Sequence, residues 1–222
     1  GGLYFLFSIL LLIDIFDDNL KKSLTNYLSL NSSEIFKQSI KIIFIYTSLT
    51  LVIFIILKFI NLRTFDAFNF SLTIISSGGF LPTNNINMLF QTDISKFILS
   101  ILMLVSYFSL FLTYNLVFIK RKNLHYLSED FYLLIYLLII TSIIFVFFNS
   151  ERNFLNTLVS ISSSVSNLGI SFNDISSNLS FVYLILVIIG GSFFSTSSGL
   201  RLIKILNLIK FSLNNLLSHT KP

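Results

Sequence analysis

Three short stretches of this chain carry residue types that could do chemistry, and the chemistry is the coordination of a cation. Ile75-Ser76-Ser77-Gly78-Gly79-Phe80 is a small, polar, glycine-bearing segment set between apolar ones. Ser166-Asn167-Leu168-Gly169-Ile170 is a second segment of the same character. A cation leaving water needs its hydration oxygens replaced, and backbone carbonyls do this without titrating and without binding too tightly. Glycine lets the backbone crowd or take a positive φ where carbonyls must turn toward an axis. The candidate carbonyl donors are Ser76, Ser77 and Gly78 in the first segment, and Asn167, Leu168 and Gly169 in the second. The plainer alternatives are a tight turn between two helices at Gly78-Gly79 and a serine-rich aqueous loop at 166–170.

The third stretch is Gly190-Gly191-Ser192-Phe193-Phe194-Ser195-Thr196-Ser197-Ser198-Gly199, followed by Leu200 and Arg201. So much glycine, serine and threonine breaks a helix and frees backbone groups that neighbours or water must satisfy. Discontinuous helices of this kind line ion pathways in transporters. The alternative is a helix that ends at Ile189 and an ordinary aqueous loop after it. Arg201 near such a path raises the barrier to cations; as an inner-surface anchor it does not.

Covalent chemistry has little support. The sequence has no Cys and two His, His125 and His219, both in polar surroundings, which excludes disulfides and disfavours a His-based metal site. No nucleophile–base pair, carboxylate pair or phosphate-binding loop is visible, so the chain is read as a non-enzyme without a bound cofactor. The net charge of +5 is read through the positive-inside rule, with no nucleic-acid partner.

The elements that must position these stretches follow from hydropathy. The chain is 54% hydrophobic and 11% charged, against about 25% charged residues in soluble domains. It is read as an all-α polytopic membrane protein in contact with lipid. Phe65 to Ile75 is a half-length helix, since about ten residues rise only about 15 Å. It ends at the first glycine loop, and Pro82 and Asn84-Asn85 mark the exit turn. Full spans are expected over Ser39 to Ile60, Ile94 to Ile119 and Phe131 to Phe148. A second half-helix is expected over Phe154 to Val165, and a long final segment over Leu179 to Leu208 breaks at Gly190 to Gly199. Gly78 and Gly169 thus sit in two copies of one unit: span, pore helix, filter loop, span.

The expected parts are a closing helix of an earlier copy (1–16), a cytoplasmic loop (17–38), a second pore repeat (39–119), a cytoplasmic loop (120–129), a third pore repeat (130–210) and a cytoplasmic tail (211–222). The N-terminus, opening Gly1-Gly2-Leu3 inside an apolar run, is read as the edge of a longer protein. Of the 15 basic residues, only Lys58, Arg63, Lys96 and Arg152 fall on the side assigned to the filter mouths, which places those mouths outside. Asn31-Ser32-Ser33-Glu34 offers a helix N-cap. Asp66 either caps the first half-helix or draws cations. Lys120-Arg121-Lys122 is an inner anchor or a docking point for a regulator. Ser106, Ser109, Thr113 and Asn115 are expected to hydrogen-bond between helices.

These residues resemble the membrane subunit of the Trk/Ktr/HKT family of potassium transporters, most closely its bacterial Trk-system branch. Ser71-Leu72-Thr73-Ile74-Ile75-Ser76-Ser77-Gly78-Gly79-Phe80 resembles that family's second pore loop, S-T-I-S-T-G-G-F, and Phe65-Asp66-Ala67-Phe68 its F-D-A helix start. Gly190-Gly191-Ser192 through Gly199-Leu200-Arg201-Leu202-Ile203-Lys204 resembles its G-G-(x)3-S-T-x-G-G-(I/L)-K-x-x-R segment, and Gly1-Gly2 the start of its first closing helix. Two departures stand out: Ser166-Asn167-Leu168-Gly169-Ile170 replaces the usual T-T-A-G-F and is closer to N-N-L-G-P, and Phe193, Phe194, Ser197 and Ser198 replace glycine and alanine.

The resemblance covers essentially the whole chain and implies the end of a first repeat, then repeats two and three of a four-repeat, potassium-channel-like pore. It implies that Gly190, Gly191, Ser192, Ser195, Thr196, Ser197, Ser198 and Gly199, with Arg201, form a gating loop beneath the filter. It further implies potassium uptake at the inner (plasma) membrane, a homodimer, and a cytosolic nucleotide-binding regulatory subunit of the RCK type. One glycine per loop predicts fewer stacked ion sites than a potassium channel has, so sodium permeation is the first alternative. The second is a nonconducting membrane scaffold, because two repeats cannot close a fourfold pore.

Overall fold

Helices account for nearly all of the regular structure, and the small residues singled out above lie where they stop. The computed structural model describes residues 35–83, 86–108, 125–148, 153–172, 177–192 and 195–219. The chain divides into two compact units, Gly1–Leu49 and Thr50–Pro222. The boundary falls within helix α1, Ile35–Phe59. In the first unit, Thr47 turns its hydroxyl back onto the carbonyls of Ile43 and Phe44, both at 3.0 Å.

In the second unit, Asn61 takes a left-handed φ of 66°, and Lys58 Nζ donates to Leu62 O and Thr64 Oγ1, both at 3.1 Å, closing the turn out of α1. Helix α2 then runs Thr64–Ser76. A single turn, α3, Ile86–Leu89, leads to α4, Asp93–Tyr107. Thr92 caps α4 by accepting from the Ser95 amide at 3.3 Å, a short side chain taking up one of the free first-turn donors. After α5, His125–Phe148, come α6, Phe154–Val165, and α7, Ser177–Ile188. Two short strands follow, β1 (Ile189–Gly190) and β2 (Leu200–Arg201), and then α8, Leu202–His219.

The tightest helix pair is α4 with α6, flanked by α2 and α7. Ser95, Ser100 and Ser106 on α4 and Ser160, Ser162 and Ser163 on α6 are buried. Small side chains let helix backbones approach closely. Most of these hydroxyls bond within their own helix, Ser100 to Phe97 O, Ser106 to Met103 O, Ser160 to Asn156 O and Ser162 to Val159 O, so the close approach leaves those donors satisfied. Interhelical bonding by Ser106 is therefore corrected: its hydroxyl serves its own turn. Around this pair, Tyr107, Leu133, Ile144, Ile161, Val165, Leu179, Tyr183, Leu186 and Leu202 form an apolar core.

The expected polytopic architecture is corrected. Among the described residues no helix is long and apolar enough to cross a membrane. Lys41 and Lys58 in α1 leave roughly 16 uncharged residues between them, about 24 Å of rise against about 30 Å of hydrocarbon. In α5 the uncharged stretch after Asp130, up to Phe148, is roughly 18 residues, at the lower end of the roughly 17–25 a span takes. Helix α4 ends at Tyr107 after 15 residues and α7 at Ile188 after 12. The architecture of repeated span–pore helix–filter loop–span units thus gives way to a bundle of shorter helices. It is also not all-α, because β1 and β2 pair in parallel, Ile189 with Leu200 and Gly190 with Arg201.

Several expectations lie outside the described residues: the closing helix over 1–16, the cap at Asn31 to Glu34, Ser109, Thr113, Asn115, Lys120-Arg121-Lys122, Phe193 and Phe194.

Candidate functional site: paired loops and a crossing segment

Helices α2 and α6 end in the same way. Ser77 has φ 51° and ψ 39°, left-handed, and its amide reaches back to Ile74 O at 3.3 Å while the Gly78 amide reaches Thr73 O at 3.0 Å. In the second loop Asn167 has φ 61°, its amide donates to Ser164 O at 3.1 Å, and the Leu168 amide donates to Ser163 O at 2.9 Å. This is the closing pattern in which a left-handed residue lets its own amide and the next one satisfy the last free carbonyls of a helix. Gly79 and Gly169 follow with φ of 70° and 69°. A strap from the helix to the residue after each left-handed glycine completes each loop. Thr73 Oγ1 donates to Phe80 O at 2.8 Å, and Ser163 Oγ accepts from the Ile170 amide at 2.6 Å.

These matches set the register of the two copies: Ser77 with Asn167, Gly78 with Leu168, Gly79 with Gly169. Pairing Gly78 with Gly169, as the spacing of single glycines invites, is off by one residue. Ser76 is the last residue of α2, with its hydroxyl folded onto Leu72 O at 2.7 Å. Gly79, absent from the set read in the sequence, holds the position equivalent to Gly169. The observed helix starts, Thr64 and Phe154, give the same register.

The two loops meet. A Cβ built on Gly79 would lie 2.6 Å from the Leu168 carbonyl oxygen, closer than real Cβ atoms come, so the Leu168 carbonyl packs directly on the Gly79 backbone. The exits are also linked, through Asn87 Nδ2 donating to Phe172 O at 3.3 Å and an edge-on contact of Phe90 with Phe172. Lys96 bridges from α4, donating to Asn156 Oδ1 at 2.9 Å with its ammonium 5.2 Å from the Phe172 ring centre.

The electrostatics favour a positive ligand. The C-terminal end of a helix carries partial negative charge, and both α2 and α6 point that end into a loop with no basic residue in the last turn. Ser77 Oγ and Asn167 Oδ1, at equivalent positions, are buried oxygens that no described donor reaches. At the opposite end of α2, Asp66 lies in the first turn, buried, with Oδ2 3.5 Å from Arg63 Nε. It makes no side-chain cap there; the N-cap residue is Arg63.

The third stretch is a closed crossing loop. Helix α7 stops at Ile188, and β2 returns alongside β1 before α8 begins. Gly190 and Gly199 make the crossing feasible. A Cβ on Gly190 would lie 2.1 Å from Ser198 O, and Gly199 has φ +99° with its α-carbon packed on the Gly190 backbone. Inside the ring the Gly191 amide donates to Ser197 Oγ at 2.9 Å, and Ser195 Oγ donates to Ser192 O at 2.8 Å. Arg201 Nη1 spans the ring, donating to Ser195 Oγ at 2.9 Å, Ser197 O at 3.0 Å and Gly191 O at 3.3 Å. Arg201 is therefore a brace within the segment.

The ring docks on the end of α4. Ser192 N donates to Tyr107 O at 3.1 Å, and Ser197 N and Thr196 Oγ1 donate to Ser106 O, both at 3.3 Å. The last carbonyls of a helix lack partners within it, and here the crossing segment supplies them. One side chain joins ring to loop: Asn167 Nδ2 donates to Ser198 O at 2.9 Å. The structure thus brings Asn167, Leu168 and Gly169 beside Ser77, Gly78 and Gly79, and ties this pair of loops to residues 190–201. Comparison with family models, with curated proteins and with solved structures finds no match for this chain.

Proposed function

We propose that the two loops line part of a path for potassium ions and that the crossing segment at 190–201 controls passage along it. The observation that carries this reading is the matched pair of helix endings. Two half-length helices close with the same left-handed residue and the same left-handed glycine, and their loops touch at Gly79 and Leu168. Loops that surround a common path must meet edge to edge, and helix C-termini aimed into them favour a cation. Backbone carbonyls then replace hydration oxygens without a titrating group. The resemblance to the potassium transporter family supports the same ion, and with it a homodimer and a cytosolic nucleotide-binding regulator.

A membrane is the proposed setting. Phe59 and Phe80 are 82% and 80% exposed, and Ile94 and Val146 are each 73% exposed. Side chains of this kind lose free energy in water and gain it against lipid.

The test has two arms. Thermal unfolding of the purified chain in mild detergent is measured in potassium, sodium and N-methylglucamine chloride at equal ionic strength. A midpoint raised by potassium above both other salts supports a potassium site. Growth at low potassium is then measured in a bacterial strain lacking its own uptake systems and expressing the full-length protein, with and without Gly79→Ala. Equal midpoints in all three salts together with no rescue would leave the nonconducting scaffold as the surviving reading.

A further inference from the structure

Asn167 holds a position in both parts of the site. Its backbone, at φ 61°, closes helix α6, and its side-chain amide crosses to Ser198 O at 2.9 Å. The acceptor is itself pinned, since Ser198 O packs on the Gly190 backbone, where a Cβ would lie 2.1 Å from it. The equivalent residue of the first loop, Ser77, has the same backbone but no partner for its hydroxyl among the described residues. Among the described residues, the repeat therefore carries a side-chain tether to the crossing segment on one copy only.

We infer that Asn167 is a positioning residue that latches the crossing segment to the second loop, so that Ser192 and residues 195–199 cannot leave their seat on α4 without breaking this bond. Among the described residues, backbone and hydroxyl bonds to Ser106 O and Tyr107 O, at 3.1 to 3.3 Å, also hold the segment. The Asn167 bond is the shortest of these external ties and the one that runs to the loop. By linkage, anything that stabilises the loop stabilises the docked segment through this bond, and the reverse holds equally. The latch stands on this geometry alone; its use as a gate rests on the reading proposed above.

Two variants isolate the side chain. Asn167→Gly keeps the left-handed backbone, which glycine adopts at no cost, and removes the amide. Asn167→Asp keeps the shape and sets a carboxylate oxygen against Ser198 O. Ser77→Gly is the control, with the same backbone change in the loop that has no tether. The measurement is amide hydrogen exchange of the full chain in mild detergent, read at residues 191–199 and at the helix α4 amides. Loss of one net hydrogen bond opens a segment roughly fivefold more often. Exchange at 191–199 is expected to rise about fivefold in Asn167→Gly and further in Asn167→Asp, with α4 unchanged and Ser77→Gly like the parent. Exchange at 191–199 that stays at the parent rate in Asn167→Gly overturns the latch, as does an equal rise across α4, which would mean general destabilisation.

Adding potassium chloride separates the two readings. Slower exchange at 191–199 in the parent but not in Asn167→Gly supports transmission through the latch. Loop and segment both indifferent to potassium in the parent would count against the cation site, while the potassium-free comparison decides the latch by itself.

Discussion

The Leu168 carbonyl oxygen packs against the Gly79 α-carbon so closely that a methyl group there would lie 2.6 Å from it. This contact joins the two copies of one structural unit at their equivalent tips. It makes the first loop's second glycine, Gly79, more demanding than Gly78.

Substitutions should follow that geometry. Gly79→Ala meets both a left-handed φ and the Leu168 oxygen, whereas Gly169→Ala has the same φ problem but nothing within 4 Å. Gly78 has an ordinary φ, and its nearest neighbour is the movable Ser76 hydroxyl at 3.0 Å. A left-handed alanine costs about 1–2 kcal/mol, and overpacking adds about 1–3 kcal/mol. Chemical denaturation should rank the losses Gly79→Ala, then Gly169→Ala, then Gly78→Ala. A Gly78→Ala loss as large as that of Gly79→Ala would contradict the register.

Ser77 is an uncommon residue to find in a left-handed helix ending. Ser77→Gly relieves that backbone without touching any hydrogen bond of the Ser77 hydroxyl among the described residues. A gain of about 0.5–1 kcal/mol is expected, read as a raised denaturation midpoint. A loss instead would mean that the Ser77 oxygen has a partner of its own.

Arg201→Met should loosen the crossing segment. The side chain keeps its apolar stem but withdraws donors from Gly191 O, Ser197 O and Ser195 Oγ. Leaving such part-buried acceptors unmet costs about 1–3 kcal/mol. Proteolysis within 190–201 should accelerate, and Arg201→Lys should restore little, because one ammonium cannot reproduce the planar fork. Protection unchanged by Arg201→Met would remove its role as a brace.

Lys96→Met tests the link between α4 and the second loop's exit. It removes the bond to Asn156 and the cation over Phe172. Together these are worth about 1–2 kcal/mol when part-buried. Double variants with Phe172→Leu should show less than additive loss; strict additivity would mean that the two side chains act separately.

Potassium should raise the unfolding midpoint in a concentration-dependent way, by about 2.7 kcal/mol at a hundredfold excess over the dissociation constant. Gly79→Ala should flatten that dependence even where the protein still folds. A dependence retained in full by Gly79→Ala would place the ion elsewhere.

Much of the local punctuation was legible in the residues themselves. Half-helices over 65–75 and 154–165 were readable because glycine, serine and asparagine follow them. The break over 190–199 was readable because its run of glycine, serine and threonine propagates a helix poorly. Cation-favouring helix ends follow from the absence of lysine and arginine in the last turns. The register of the repeat was not legible from glycine spacing, because Ser77 adopts a conformation that serine ordinarily avoids. Nor was the insufficiency of the apolar helices, because apolar runs such as 94–119 look continuous in sequence while α4 ends at Tyr107.

What the sequence by itself determined is therefore where the two half-helices and the segment before Gly190 stop, and which residues are small enough to let backbones meet. Only the tertiary structure decided which of those small residues touch: Gly79 with Leu168, Gly190 with Ser198, Asn167 with Ser198, and the parallel return of Leu200-Arg201 beside Ile189-Gly190. The physical reason is range. Helix endings depend on hydrogen bonds that reach back four or five residues, which neighbouring side chains encode. Contacts across 31 residues, such as Asn167 to Ser198, depend on how α4, α6 and α7 pack, and no local propensity specifies that.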